Sequence, residues 1–277
     1  MRLILHIGMP KSGTTSIQES LYLNREFLSN AGVFIPTSLG KRNHRRFSKI
    51  FEKFRSHYIA YHQSPRQPSP AERQAMDSEN LRRFENEVRL ARGHHTFVIS
   101  SEQMGWRYES TEIQHLAEVC KTYFDNITVV IFLRPQWEAI PSRYWLMLRE
   151  FLLWKSFGQW LQEEAMSFWQ YDYAHVLDLW STNFPGAKIQ PILMAEAGNF
   201  DSVETFYRDV VMCDPTAVAR VSVGRKNQTG SGLDVTALRV LNLIIDVWHR
   251  VRKIGELEVA AIRAKRRLVR MVPLAKR

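Results

Sequence analysis

The chain has 277 residues, 45% of them apolar, and a formal net charge of +10 at pH 7. This size allows a large buried core, and one main domain is the simplest organisation. Two cysteines are too few for a disulfide framework, and the sequence shows neither a signal peptide nor an apolar run of membrane-spanning length, so we expect a cytoplasmic protein.

The positive charge is concentrated at the C-terminal end. Residues 249–277 carry a net charge of +8, whereas the preceding 248 residues carry +2. We therefore predict an α/β domain over residues 1–232 and a basic helical tail over residues 233–277. Two interpretations of the tail stay open, a solvated helix end and a segment that contacts an anionic membrane, at the inner face, or an acidic partner. Nucleic acid is not an expected partner, because no motif accompanies the charge.

The first predicted strand runs into a glycine-bounded loop. Apolar residues 3–7 precede Gly8, and a helical pattern follows Gly13 and ends near Gly32. Backbone N–H groups and the helix dipole at such a junction favour phosphate, and a loop lysine adds charge. The candidate phosphate-binding residues are Pro10, Lys11, Ser12, Gly13, Thr14 and Thr15. The glycines keep the frame of the Walker A motif, but Thr14 stands where that motif has its lysine. The alternative is a tight turn in which Gly and Pro serve geometry alone.

Two candidates for a general base follow along the chain. A predicted strand at residues 96–100 leads to Glu102, a carboxylate at a strand end. The other interpretation of Glu102 is a carboxylate that caps the next turn or pairs with Arg134. His44 is the competing base, although it lies in the basic segment 41–46, where a solvated surface histidine is the simpler expectation.

A third predicted strand, at residues 128–133, ends at Arg134, and Ser142 lies eight residues further on. A guanidinium group together with a hydroxyl suits a doubly charged phosphate. Later in the chain, Arg225 and Lys226 lie in a Gly- and Asn-containing loop, for which a solvated loop is one interpretation.

The alternation of strands and helices predicts an α/β fold with three layers, a parallel sheet with helices on both faces. Lys11, Glu102 and Arg134 then all follow the carboxyl ends of strands, where the binding crevice of such a sheet lies. The sequence therefore predicts one shared site.

The motif His-Ile-Gly-x-x-Lys-Ser-Gly-Thr-Thr-x-x-Gln at residues 6–18, with Arg134 and Ser142, resembles the bacterial sulfotransferase family over residues 3–230. These enzymes use 3′-phosphoadenylyl sulfate (PAPS). The resemblance implies a P-loop nucleotide-kinase-like fold and transfer of a sulfuryl group from PAPS to a hydroxyl or amine of an acceptor, carbohydrate or lipid-linked. It also implies that Glu102 is the base, that Lys11 stabilises the leaving group and that no metal is needed. Arg134 and Ser142 would hold the 3′-phosphate, and the loop with Arg225 and Lys226 would close over it.

Two other function classes remain open from the sequence. A P-loop kinase would bind ATP and Mg²⁺, although the missing lysine after Gly13 disfavours it. A non-catalytic binding protein would act through the basic tail. The acceptor itself is not named by the sequence, since its pocket is expected in residues 37–70 and 144–175.

Overall fold

A computed structural model describes residues 1–53, 68–150, 153–165, 168–195, 200–213, 239–240 and 242–243. Its strands are β1 (Arg2–His6), β2 (Val33–Phe34), β3 (Thr96–Ser100), β4 (Asn126–Leu133) and β5 (Lys188–Leu193). They form one parallel sheet in the order β2-β3-β1-β4-β5, with helices around it. The predicted α/β class with a parallel sheet is confirmed.

Residues 239–240 and 242–243 are helical, and ten further α-helices have described bounds. They are α1 (Thr14–Leu23), α2 (Arg25–Asn30), α3 (Arg45–Phe51), α4 (Pro70–Leu90), α5 (Glu102–Arg107), α6 (Ser110–Tyr123), α7 (Gln136–Glu150), α8 (Phe157–Glu163), α9 (Tyr173–Asn183) and α10 (Ser202–Phe206). A 3₁₀ helix (Trp169–Tyr171) precedes α9, and a π-helical turn (Tyr207–Val211) continues α10. None of the described helices is long and apolar enough to cross a membrane.

The central strand β1 pairs with a neighbouring strand on each side, and its residues 3–6 are buried. Its Leu5 lies opposite Ile99 of β3 and opposite Val129 of β4, and all three side chains are fully buried. A strand covered on both faces reads as a continuous apolar run rather than as an alternating pattern. This explains why residues 3–7 could be recognised as a strand from their composition.

The described residues divide into two compact units. The first comprises the described residues in 1–53, 68–135 and 172–213, and contains the sheet. The second includes Gln136–Tyr171, where Trp160 of α8 is buried in a cluster with Tyr144 and Leu148 of α7. The boundary predicted between residues 232 and 233 lies outside the described residues, as does nearly all of the basic tail, so both stay predictions.

Candidate functional site

The strand order places a topological switch point beside the central strand. After β1 the chain continues to β2 on one side of the sheet, and after β4 it continues to β5 on the other side. Adjacent strands whose connections leave in opposite directions mark the point at which open α/β sheets bind ligands. The loop 8–13 follows β1 and Arg134 follows β4, so both lie at this point.

A hydroxyl inside the loop fixes its shape. Ser12 is fully buried; its Oγ donates to the carbonyl of Met9 at 2.7 Å and accepts from the Met9 N–H at 3.1 Å. Because the single Ser12 hydroxyl hydrogen is used in this way, the Thr14 hydroxyl donates to Ser12 Oγ at 3.2 Å. These bonds turn the two ends of the loop toward each other.

Three loop residues adopt positive φ angles. The values are 37° for Gly8, 66° for Lys11 and 77° for Gly13. A Cβ on Gly13 would lie 2.8 Å from the Cβ of Ser202, at the start of α10, so packing as well as φ requires glycine there. Lysine rarely adopts this conformation, and unusual backbone conformations of this kind cluster at ligand sites.

Helix α1 starts at Thr14, directly after this loop. The first N–H groups of an α-helix have no intrahelical acceptor, and the helix dipole places partial positive charge beside them. The backbone of Thr14 and Thr15 therefore presents donors beyond the carboxyl end of β1. An anion of phosphate type is the ligand that such a junction favours.

Arg134 lies directly after β4 and contacts the loop. Its Nη1 donates to the Lys11 carbonyl at 3.5 Å, and its own carbonyl accepts from the Tyr173 hydroxyl at 2.6 Å. Burial raises the pKa of Tyr173 to about 12, so this hydroxyl stays protonated and remains a donor at neutral pH. Tyr173 was not singled out from the sequence, and no sequence signal indicates its contact across 39 residues.

Glu102 is the first residue of α5, and this helix is docked against the loop. The Ser101 N–H donates to the His6 carbonyl at 3.0 Å, and the Gly105 N–H donates to the Ile7 carbonyl at 2.9 Å. A Cβ on Gly8 would lie only 3.2 Å from the Cα of Glu102. The carboxylate-bearing residue therefore adjoins the first glycine of the loop.

The expectation that His44 is a solvated surface residue is wrong. His44 is only 1% exposed, and its Nδ1 accepts from the Ser100 N–H at 2.9 Å. Its other ring nitrogen donates a hydrogen bond to the Pro36 carbonyl. Burial lowers the pKa of His44 to about 4, so the ring is neutral and both of its nitrogens are engaged.

His6, at the end of β1, was also missed as a component of the site. Its Nδ1 lies 2.8 Å from Ser100 Oγ, which also accepts from Gln18 Nε2 at 3.2 Å. The imidazole packs against the rings of Phe132 and Phe206, and burial lowers its pKa to about 3. This neutral histidine ties the ends of β1 and β3 to α1 beneath the loop. Its only sequence signal is its place two residues before Gly8.

Three other candidate residues are not tested by this arrangement. Ser142 lies on α7 in the second unit, so its predicted pairing with Arg134 stays a prediction. Arg225 and Lys226 lie outside the described residues. Within the part of the chain that the structure describes, no three His, Cys, Asp or Glu side chains form a group that could hold a metal ion.

Comparison with known proteins adds little to this geometry. No protein-family model matches the chain, and no curated protein matches its sequence significantly. A solved structure of a sulfotransferase from Alicyclobacillus acidocaldarius is similar at 17% identity and a TM-score of 0.42, over 96% of this chain and 95% of that one. Because the likeness is this weak, neither family nor activity is inferred from it.

Proposed function

We propose that this protein is a sulfotransferase that moves a sulfuryl group from PAPS to a hydroxyl or amine of an acceptor. The observation that carries the proposal is the meeting of three strand ends: the loop with Lys11 after β1, Glu102 after β3 and Arg134 after β4. Such a transfer uses N–H groups that bind phosphate, a cation that stabilises the leaving group and a carboxylate that accepts a proton.

The residues present fit a nucleotide that carries phosphate groups on the 3′ and 5′ positions of its ribose. The start of α1 and the positive-φ loop suit the 5′-phosphosulfate. Arg134, at the neighbouring strand end, suits the 3′-phosphate as a planar guanidinium fork, with Ser142 as its proposed partner. When bound, PAPS supplies the sulfuryl group.

In the proposed reaction, Glu102 accepts the proton of the acceptor hydroxyl as its oxygen forms a bond to sulfur. The bond from sulfur to the bridging phosphate oxygen breaks, and the electron pair stays on that oxygen. Lys11 and the first N–H groups of α1 stabilise the charge that develops there. His44 is a poor base, because its only lone pair already accepts from the Ser100 N–H.

The acceptor is proposed to be a small molecule, a glycan or a lipid-linked compound. The net charge of +8 over residues 249–277 would hold such an enzyme near an anionic membrane, at the cytoplasmic face. Arg225 and Lys226 are proposed to close over the 3′-phosphate.

The test is calorimetric titration with 3′,5′-ADP, 5′-AMP and ATP–Mg²⁺, on the wild type and on Arg134→Ala. We expect 3′,5′-ADP to bind without metal and more tightly than 5′-AMP. Loss of charge-assisted hydrogen bonds to the 3′-phosphate should weaken 3′,5′-ADP by about tenfold to a hundredfold in the variant, with little change for 5′-AMP.

The matched control is Arg92→Ala, because Arg92 is exposed after α4 and away from the carboxyl ends of the strands. It should bind all three nucleotides as the wild type does. A preference for ATP–Mg²⁺ would favour the kinase alternative instead, and absence of nucleotide binding would remove both enzymes from consideration.

A further inference from the structure

The basic segment 41–46 contains four cationic side chains, and they make different contacts. Lys41 and Arg42 lie over the ring of Tyr22, and Arg46 is exposed and donates to the Ser38 carbonyl. Arg45, the first residue of α3, is the exception because its guanidinium is partly buried.

The backbone places Arg45 beside the candidate base. The preceding residue, His44, is tied to the end of β3: its N–H donates to the Ser100 carbonyl at 3.0 Å, and its ring accepts from the Ser100 N–H at 2.9 Å. Glu102 follows only two residues after Ser100. Arg45 and Glu102 thus leave adjacent points at the same end of the sheet, and each lies within the electrostatic reach of the other.

Two donors of Arg45 have no hydrogen-bond partner among the described residues. Its Nε and Nη2 are both buried and unsatisfied. An unsatisfied buried donor is costly and uncommon, and one attached to a charged group is costlier still. The Nε–Nη2 edge of a guanidinium is one that binds a carboxylate, sulfate or phosphate through two parallel hydrogen bonds.

Arg45 belongs to a cluster of three cations, Arg45, Lys49 and Arg107, and two carboxylates, Glu52 and Glu102. Lys49 lies one helical turn further along α3, and the Arg107 guanidinium is already paired with Glu52 at 2.7 Å. Burial lowers the pKa of Arg45 and the Arg107 charge lowers it further, although Glu52 and Glu102 oppose this. Burial and the Arg45 charge likewise lower the pKa of Lys49, against the charge of Glu52. A bound anion would relieve both effects.

We propose that the Nε–Nη2 edge of Arg45, together with Lys49, binds an oxoanion of the acceptor next to Glu102. The proposal rests on the proposed function and adds a substrate class to it: the acceptor carries a carboxylate, sulfate or phosphate in addition to the group that is sulfated. The oxoanion is held at Arg45 while the reacting hydroxyl lies at Glu102.

The test is calorimetric titration of the protein saturated with 3′,5′-ADP, which occupies the phosphate loop and so prevents small anions from binding there. The probes are D-glucose, D-glucuronate, glucose 6-sulfate and glucose 6-phosphate, which share a ring and differ in their anion. The variants are Arg45→Met, which keeps an apolar stem, and Arg46→Met, the matched control on the same helix.

We expect at least one anionic sugar to bind the wild type about tenfold or more tightly than glucose, and this preference to disappear in Arg45→Met while Arg46→Met retains it. The probe that binds best identifies the oxoanion. Equal binding of all four sugars, or a preference that survives in Arg45→Met, would overturn the proposal. Failure of 3′,5′-ADP itself to bind would instead remove the proposed function.

A stability measurement separates this role from a structural one. If the buried donors of Arg45 form hydrogen bonds only when a ligand is bound, they destabilise the ligand-free protein. Arg45→Met removes these unsatisfied groups and should then raise the melting temperature of the ligand-free protein. A structural Arg45, or one that only positions Glu102, gives a lower melting temperature or an unchanged preference among the sugars, and either result contradicts the proposal.

Discussion

At the scale of single residues, the proposed chemistry depends most on Glu102. Its place at the start of α5, beside Gly8, is what makes it a candidate base. Glu102→Gln keeps the size of the side chain and removes its ability to accept a proton. Because general-base catalysis contributes about 10²–10⁴-fold, sulfuryl transfer should fall by about that factor, as measured by release of 3′,5′-ADP from PAPS with a competent acceptor.

Measuring the binding of 3′,5′-ADP distinguishes a catalytic role of Glu102 from a structural role. Since the carboxylate is proposed to act on the acceptor, Glu102→Gln should bind 3′,5′-ADP as tightly as the wild type. Glu118→Gln, on the exposed face of α6, is the control and should leave turnover unchanged. A Glu102→Gln variant with full turnover would rule out this residue as the base.

Which residues the sequence reveals depends on the range of the contacts that define them. Lys11, Glu102 and Arg134 could be placed at strand ends because an apolar run and the turn after it are local features. His44 could not, because its burial depends on Ser100, which is 56 residues away. The same holds for Tyr173, whose hydroxyl reaches the Arg134 carbonyl from α9.

At the scale of secondary-structure elements, the docking of α5 on the phosphate loop sets the position of Glu102. Gly105 makes this approach close, since any Cβ there would overlap the carbonyl oxygens of Ile7 and Gly8. Backbone atoms cannot move aside as a flexible side chain can. Gly105→Ala should therefore lower the free energy of unfolding by about 1–3 kcal/mol and weaken 3′,5′-ADP binding.

Gly158 in α8 is the matched control for Gly105. It too is a helical glycine, but a Cβ there meets nothing within 4 Å. Because alanine is the better helix former, Gly158→Ala should be neutral or stabilising by up to about 1 kcal/mol in urea unfolding. If both variants lose equal stability, helix α5 does not depend on close approach to the loop.

The helix after the loop shows where sequence patterns stop predicting boundaries. The apolar pattern predicts one helix from Thr14 to near Gly32, whereas the structure has α1 and α2 separated at Asn24. The Asn24 side chain donates to the Ser20 carbonyl at 2.8 Å, which also accepts from the Asn24 N–H at 3.0 Å, and a side chain bonded back to the carbonyl four residues earlier tends to bend a helix. The periodicity of apolar residues does not reveal such a bond, because the apolar face of the helix continues past Asn24.

At the scale of the whole molecule, two buried histidines link folding to pH. Burial lowers the pKa of His6 to about 3 and that of His44 to about 4, from a usual value of 6.5. Both rings stay neutral in the folded protein, while the unfolded chain takes up a proton on each below about pH 6.5. Their contribution to stability is therefore full above that pH and is lost as the pH falls toward 4 and 3.

This linkage predicts marked acid sensitivity. Between pH 7.5 and pH 5.0, each histidine should lower the free energy of unfolding by about 2 kcal/mol, which urea unfolding at the two pH values measures. In His44→Asn the amide oxygen can still accept from the Ser100 N–H, but nothing titrates, so the loss over this interval should shrink by about 2 kcal/mol. His175→Asn, at an exposed position on α9, should retain the full loss. An unchanged loss in His44→Asn would mean that His44 takes up its proton in the folded protein, which would require its ring to leave Ser100 and would make it available as a base after all.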